Sequence, residues 1–417
     1  MDINKYLGVC PINKHKINKI LDNIRTFYRI SDINTYSCNV KLLTYNTKDK
    51  LLNHRHKLIK LIKKKYTISN TGSVCKALLS YKNKKYYKNI FIKEIPLLPV
   101  TFNPDITANL LSNRQSHNYF EQIYSTDSSP NIELYISYLT SKLFELNISP
   151  TFSKLYGYFY TIFKKFTYSV DDDTDNIKGV HYNDGSDNFI MKYEVPVLLL
   201  SIEKLDFDLD ALDDLGKLTL EFYRSICFQI FMAIFTMFNT FGIKHNDLHI
   251  GNILFSVTKK EYIFYNLNNL FFKVPTFGFM VKIIDWGRGT YNYNNIIGKN
   301  NIFMPGRECE NQIIFNRFNK RERLHYKWTD IVIFVQNLIF NKPILRKFPK
   351  FYTFLHKLIK TTNGIYISTK TFNWETYENI SKNSFTIRPK NIVKHEEFRK
   401  YIIEKNPEKT HCYPIQL

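Results

Sequence analysis

The sequence predicts an α+β chain, with strands gathered in residues 66–203 and helices dominating 204–417. Three observations predict it. Short β-branched, alternating runs bounded by turn residues fill the first part, as in YTISNTGSVCKALL and NIFIKEI. An apolar run, ICFQIFMAIFTMFNTF (Ile226 to Phe241), has the length and composition of a buried helix. A polar loop, KHNDLHIGNILF (Lys244 to Phe255), follows it directly, and a later strand-like run stops at Asp285-Trp286-Gly287.

Residues 1–65 read as a basic helical extension. KHKINKILDNIRTFYRI places Ile17, Ile20, Leu21, Ile24 and Phe27 at helical spacing, and LLNHRHKLIKLIKKKY is predicted as a second basic helix. Tyr66 to Leu79 then reads as strand, turn, strand. Asn89 to Ile95 is a strand with Lys93 as its single lysine. Ser129-Pro130 is a helix start, with Ile132, Ile136, Leu139, Leu143 and Leu146 on one face and Glu133 near the beginning. Residues 169–189 are acidic and turn-rich, and read as a mobile insertion without the spacing of a calcium loop. Val195 to Ile202 is a buried strand. EYIFYNLNNLFFKVPTFGF reads as an extra strand pair, and HYKWTDIVIFVQNLIF as an apolar helix led by Asp330. Beyond Asn341 the chain is helical and basic.

Chemistry concentrates in Lys244 to Phe255. His245, Asp247, His249 and Asn252 fall within eight residues, more proton- and metal-handling groups than a turn needs. Asp and Asn offer the oxygen donors that a hard cation prefers. Asp247 and Asn252 have the spacing of the loop H-R-D-L-x-x-x-N, and Asp285-Trp286-Gly287 is a D-F-G signature with Trp for Phe. Together these stretches resemble the catalytic lobe of the protein-kinase-like superfamily. VPTFGFMVKIIDWGRGTY and ISPTFSKLYGYF also look like the Ser/Thr protein kinases of large cytoplasmic DNA viruses. The likeness spans roughly residues 65–340.

The resemblance implies a two-lobed fold: a small β-rich N-lobe over 66–203 and a mainly helical C-lobe with a C-terminal extension over 204–417. It implies a Ser/Thr protein kinase using ATP and Mg²⁺. Asp247 would accept the proton of the acceptor hydroxyl, and Asn252 and Asp285 would hold Mg²⁺. Lys93 would orient the phosphates and pair with Glu133, with Glu121 and Glu145 as alternatives. Gly72-Ser73-Val74-Cys75-Lys76-Ala77 matches the second half of a glycine-rich loop, so Gly72 and Val74 would cover the nucleotide. Thr67 and Ser69 stand at the earlier glycine positions. Ile202 to Leu205 would be the hinge, with Glu203 and Leu205 meeting adenine through main-chain groups, and Leu254 joins the nucleotide set. Asp330 would hold the catalytic-loop backbone. Two departures matter. Asn246 replaces the Arg that clamps a phosphorylated activation loop, so that mode of activation is not expected. His249 replaces a Lys, as in haspin-type kinases and small-molecule phosphotransferases. No A-P-E segment is clear, and FMPGRECEN is a candidate position.

The net charge of +22 accompanies a chain rich in Lys, Asn, Ile, Tyr and Phe, the residues of AT-rich codons. Coding bias therefore accounts for most of it, and nucleic acid is a possible but unfavoured partner. Six scattered Cys form no C-x-x-C pair, which argues against zinc and disulfides and fits a cytoplasmic or virion setting. Gln229 and Asn239 interrupt the apolar run, so no membrane span is expected. The expected partners are protein substrates. Two rival readings are a small-molecule kinase, and a catalytically weak scaffold whose basic extension binds nucleic acid or a partner.

Overall fold

The computed structural model describes residues 9–11, 55–68, 72–97, 127–170, 180–183, 188–293, 296–304, 309–310, 312, 327–404 and 411–415. The predicted helix at Lys14 to Ile30 and residues Ser69 and Glu121 lie outside the described residues, as does most of FMPGRECEN. The chain divides into two compact units, residues 1–134 with 154–204, and residues 135–153 with 205–417.

The first unit is built on one seven-stranded sheet. Its strands are β1 (Val9–Pro11), β2 (His56–Ile68), β3 (Gly72–Tyr81), β4 (Lys84–Pro96), β5 (Leu155–Val170), β6 (Val180–Asn183) and β7 (Asn188–Glu203), in the order β1-β5-β7-β4-β3-β2 with β6 on β7. All the pairings are antiparallel. Period-two alternation sends Cys75, Ala77 and Leu79 of β3, Ile90 and Ile92 of β4, and Val195, Val197 and Leu199 of β7 into one cluster with Tyr156, Phe163 and Phe166. The ladder sets Gly72 opposite Lys93 and Lys93 opposite Leu200, so these residues share the other face with Val74.

The described part of LLNHRHKLIKLIKKKY corrects the helix expected there, because it is strand β2. Strand β1 and most of β2 thus lie within residues 1–65, where a helical extension is predicted. Leu58 and Leu61 meet the sheet, and three register shifts along β2 let its lysines turn outward. A lysine-rich, bulged edge strand resists pairing with other chains, and its spacing imitates a basic helix. Of the stretch 169–189, residues 171–179 and 184–187 lie outside the described residues, and its remaining residues belong to strands. The ladder of β5 and β7 continues to Val170 opposite Asn188, and β6 adds four more pairs.

Gly72 is one glycine the backbone requires. Its φ is +152°, and an added Cβ would lie 2.1 Å from the Ile92 carbonyl oxygen. Gly72→Ala is expected to cost at least about 2 kcal/mol, read as a lower urea midpoint.

Helix α1 (Ser129–Glu145) starts at the predicted Ser129-Pro130 and buries Ile132, Ile136, Leu139 and Leu143. Leu146, expected on the same face, lies beyond the helix end and is exposed.

The second unit is organised on α3 (Leu220–Phe241), preceded by the short α2 (Leu209–Asp214). Thr219 caps α3 by accepting from the Phe222 N–H at 3.2 Å, and Gly242 ends it with φ +62°. The helix is apolar on all sides, and 83% of its most apolar window is buried, so it is a core helix with protein around it. Strands β8 (Ile253–Val257), β9 (Tyr262–Leu267), β10 (Leu270–Pro275) and β11 (Phe279–Ile283) follow. Asn268 and Asn269, both at positive φ, close the β9–β10 hairpin as the two-residue turn requires. After β12 (Tyr291–Tyr293) and β13 (Ile296–Gly298) come the buried α4 (Thr329–Asn341), then α5 (Pro349–Leu358), α6 (Trp374–Lys382), α7 (Pro389–Val393) and α8 (Glu396–Arg399). Strands β14 (Ile402–Ile403) and β15 (Cys412–Ile415) join β10 and β9 in a second sheet.

Candidate active site

In the second unit, the polar loop leaves α3 and re-enters the fold as β8. Pairing of β8 with β11 sets Ile253 opposite Ile283, and the Ile284 N–H donates to the Asn252 carbonyl at 3.1 Å. This ladder ties the backbone of Asn252 to that of Ile284, the residue before Asp285, although the two segments are well separated in sequence. Asp285 is exposed, at φ +64°. A non-glycine residue in that conformation is uncommon, and Asp is among the residues that tolerate it. Trp286 turns inward and is buried against the rings of Phe152 and His245, at centroid distances of 6.2 and 4.8 Å.

The loop itself is fixed from several sides. Asp330, at the first turn of α4, accepts from the backbone N–H groups of His245 and Asn246, each at 2.8 Å. Asn337, two turns along α4, accepts from the Ile250 N–H at 2.9 Å. His245 is fully buried. Its Nε2 meets the Ile284 carbonyl at 2.8 Å and its Nδ1 accepts from the Asp247 N–H, a pattern that the neutral Nε2–H tautomer satisfies. Asn246 stands where an Arg was expected from the motif. Its amide instead donates to the Arg288 carbonyl and to Thr290 Oγ1, at 3.0 and 3.2 Å.

Three side chains line the loop's working edge. The Asn252 Nδ2 donates to the Asp247 carbonyl at 2.8 Å and also meets His249 Nε2 at 3.2 Å. Its amide nitrogen is thereby engaged, which leaves Oδ1 for a cation. His249 lies 3.9 Å from Asp247 Oδ2, and burial holds its pKa below the ordinary value against the opposing pull of Asp247 and Asp285. It is therefore neutral at neutral pH. Asp247 accepts from Arg288 Nη1 at 3.2 Å and from the Tyr377 hydroxyl.

Among the described residues, no group of three or more His, Cys, Asp or Glu side chains converges as a metal cage. The donor set of Asn252 and Asp285 suits a cation that takes few protein oxygens and completes its shell with water and phosphate, as Mg²⁺ does.

In the first unit, Lys93 Nζ lies 2.5 Å from Glu133 Oε1, with both side chains largely buried. Of the three Glu considered as partners, Glu133 makes the contact, while Glu145 pairs with Lys142 at 2.7 Å. Val74 is fully buried on the face of Lys93. The Glu203 side chain sits on the opposite face, 3.2 Å from Lys88 and 3.7 Å from Lys154. Any contact of Glu203 with a base would use its main chain. Leu205 and Leu254 are half-buried in the second unit. Lys93→Met is expected to destabilise the first unit by removing the charge paired with the buried Glu133, read as a lower urea midpoint.

Arg288 and Tyr377 were not predicted as site residues. Arg288 follows Gly287 directly, so the D-W-G-R run offered a signal for it. Tyr377 comes from the part of the chain that resembled nothing specific.

Comparison with known proteins adds one relationship. A segment of 89 residues, 21% of this chain, is 34% identical to "Probable serine/threonine-protein kinase 380R" of Invertebrate iridescent virus 6. The match covers 16% of that protein's length. No family model matches the chain. The match points to a kinase-like relationship.

Proposed function

We propose that this chain is an ATP-dependent phosphotransferase of the protein-kinase type that acts on Ser/Thr hydroxyls of proteins. The observation that supports the reading is the loop Lys244 to Phe255, in which Asn252 Nδ2 bonds the Asp247 carbonyl, together with the pairing of β8 to β11, the strand that leads into Asp285. Similarity to a viral protein named as a Ser/Thr kinase supports the acceptor class. Asp247 positions the acceptor hydroxyl and takes its proton. Asn252 Oδ1 and the Asp285 carboxylate would hold Mg²⁺, which supplies charge neutralisation at the phosphates. Lys93, kept in place by Glu133, would bind phosphate oxygens. Most of the acceleration then comes from placement and preorganised charge.

His249 supports a second reading, transfer to a small metabolite, because it adds a neutral imidazole beside Asp247 where many protein kinases have Lys. Incubation with γ-labelled ATP and either a protein mixture or a panel of sugars and amino alcohols separates the two. Label on Ser or Thr is expected, and label on a metabolite alone would select the second reading. MgATP at a hundredfold excess over its Kd should raise stability by about 2.7 kcal/mol, seen as a higher melting temperature. Absence of both transfer and stabilisation would remove the proposal.

A further inference from the structure

The carboxylate of Asp247 already holds a hydroxyl. Among the described residues that hydroxyl is Tyr377's, donated to Asp247 Oδ1. Tyr377 belongs to α6, whose start is fixed by a reciprocal cap: Asn373 Oδ1 accepts from the Thr376 N–H, and Thr376 Oγ1 from the Asn373 N–H, each at 3.2 Å. The guanidinium of Arg288 lies 4.6 Å from the Tyr377 ring centroid and 5.1 Å from that of Trp374 while its Nη1 bonds Asp247. Phe372 touches both His249 and Tyr377, with centroids 6.3 and 5.1 Å apart. The phenol is buried, and burial, with Asp247 next, pushes its pKa up, so it is a neutral donor.

A hydroxyl within hydrogen-bond reach of the proton acceptor is the geometric requirement for a phosphoryl acceptor. We propose that Tyr377 is an intramolecular phosphoryl acceptor, a modification site on α6 whose oxygen stands in the acceptor position of Asp247. The inference rests on the role given to Asp247 above. In the step, the Tyr377 oxygen forms a bond to the γ-phosphorus of ATP. The bond from that phosphorus to the β,γ-bridging oxygen breaks, ADP leaves with its electron pair, and the phenolic proton passes to Asp247. The product places about −1.5 to −2 charges beside the Asp247 carboxylate and removes the donor that joined them. The modified helix therefore cannot keep this contact.

The test incubates the purified full chain with MgATP over a tenfold range of protein concentration, beside an isotopically heavy Asp247→Asn chain, and maps phosphopeptides by mass spectrometry. Phosphotyrosine at 377 is expected on the light chain alone, with a first-order rate constant unchanged across the range. Phosphate on other residues or on an added protein, with Tyr377 unmodified, overturns the proposal. So does phosphotyrosine at 377 on the heavy chain, which would mean transfer between molecules. If no acceptor is labelled at all, the phosphotransferase reading fails first and takes this one with it.

Discussion

Asp285→Asn is expected to abolish phosphate transfer and leave the fold intact. The position is exposed and holds its backbone at φ +64°. Asn visits that region as readily as Asp, so the turn survives the change, and so can the 3.4 Å contact that Oδ1 accepts from the Gly287 N–H. What disappears is one negative charge. With it goes the carboxylate contributed to the proposed Mg²⁺ site. A loss of about 4 kcal/mol in transition-state stabilisation corresponds to roughly 10³-fold in kcat/KM. Initial rates across a Mg²⁺ titration check it, with a melting curve beside them to show the fold unchanged. Rates equal to those of the parent protein would take Asp285 out of the metal's coordination. Asp285→Ala is the poorer variant, because Ala in that backbone region adds about 1 kcal/mol of strain unrelated to the metal.

The parts of this site that were legible in the sequence are those that short-range spacing encodes. Asp247 and Asn252 lie on one tight loop, so their spacing survives folding. Ser129-Pro130 marks the start of α1, where proline's missing N–H costs nothing in the first turn, and Lys93 stands out as a cation inside an apolar strand. Strand β2 was misread for an equally local reason. Its bulges break the period of two, and the lysines of an edge strand fall at intervals that a helix would also produce. Tyr377 could not be found from spacing, since its contact with Asp247 joins residues 130 positions apart. Arg288 is intermediate. It adjoins the D-W-G signature, yet its pairing with Asp247 depends on where the turn at Asp285 throws the chain.

Asp330→Ala is the second large effect expected, and it falls on stability before activity. Asp330 is 2% exposed and receives two backbone N–H groups, those of His245 and Asn246, one on each carboxylate oxygen. Alanine would leave both donors buried without an acceptor. At about 1–3 kcal/mol for each orphaned group, the variant should lose about 2–6 kcal/mol, read as a lower urea midpoint with an unchanged slope. Asp330→Asn keeps one acceptor oxygen but turns an amide toward the other N–H, so it should fall between the two. The same helix holds the loop a second time. Asn337 is seven residues after Asp330, hence on the same face of α4, and accepts from the Ile250 N–H at 2.9 Å. One rigid helix thus registers the loop before and after Asp247. Loosening either end should lower kcat, because it disorders the loop that carries the proposed base Asp247. A cycle of Asp330→Asn and Asn337→Ala, each alone and then together, measures this directly. If the helix grips the loop as one unit, the two costs in kcat are not additive, and a strictly additive result would mean that each end is held independently.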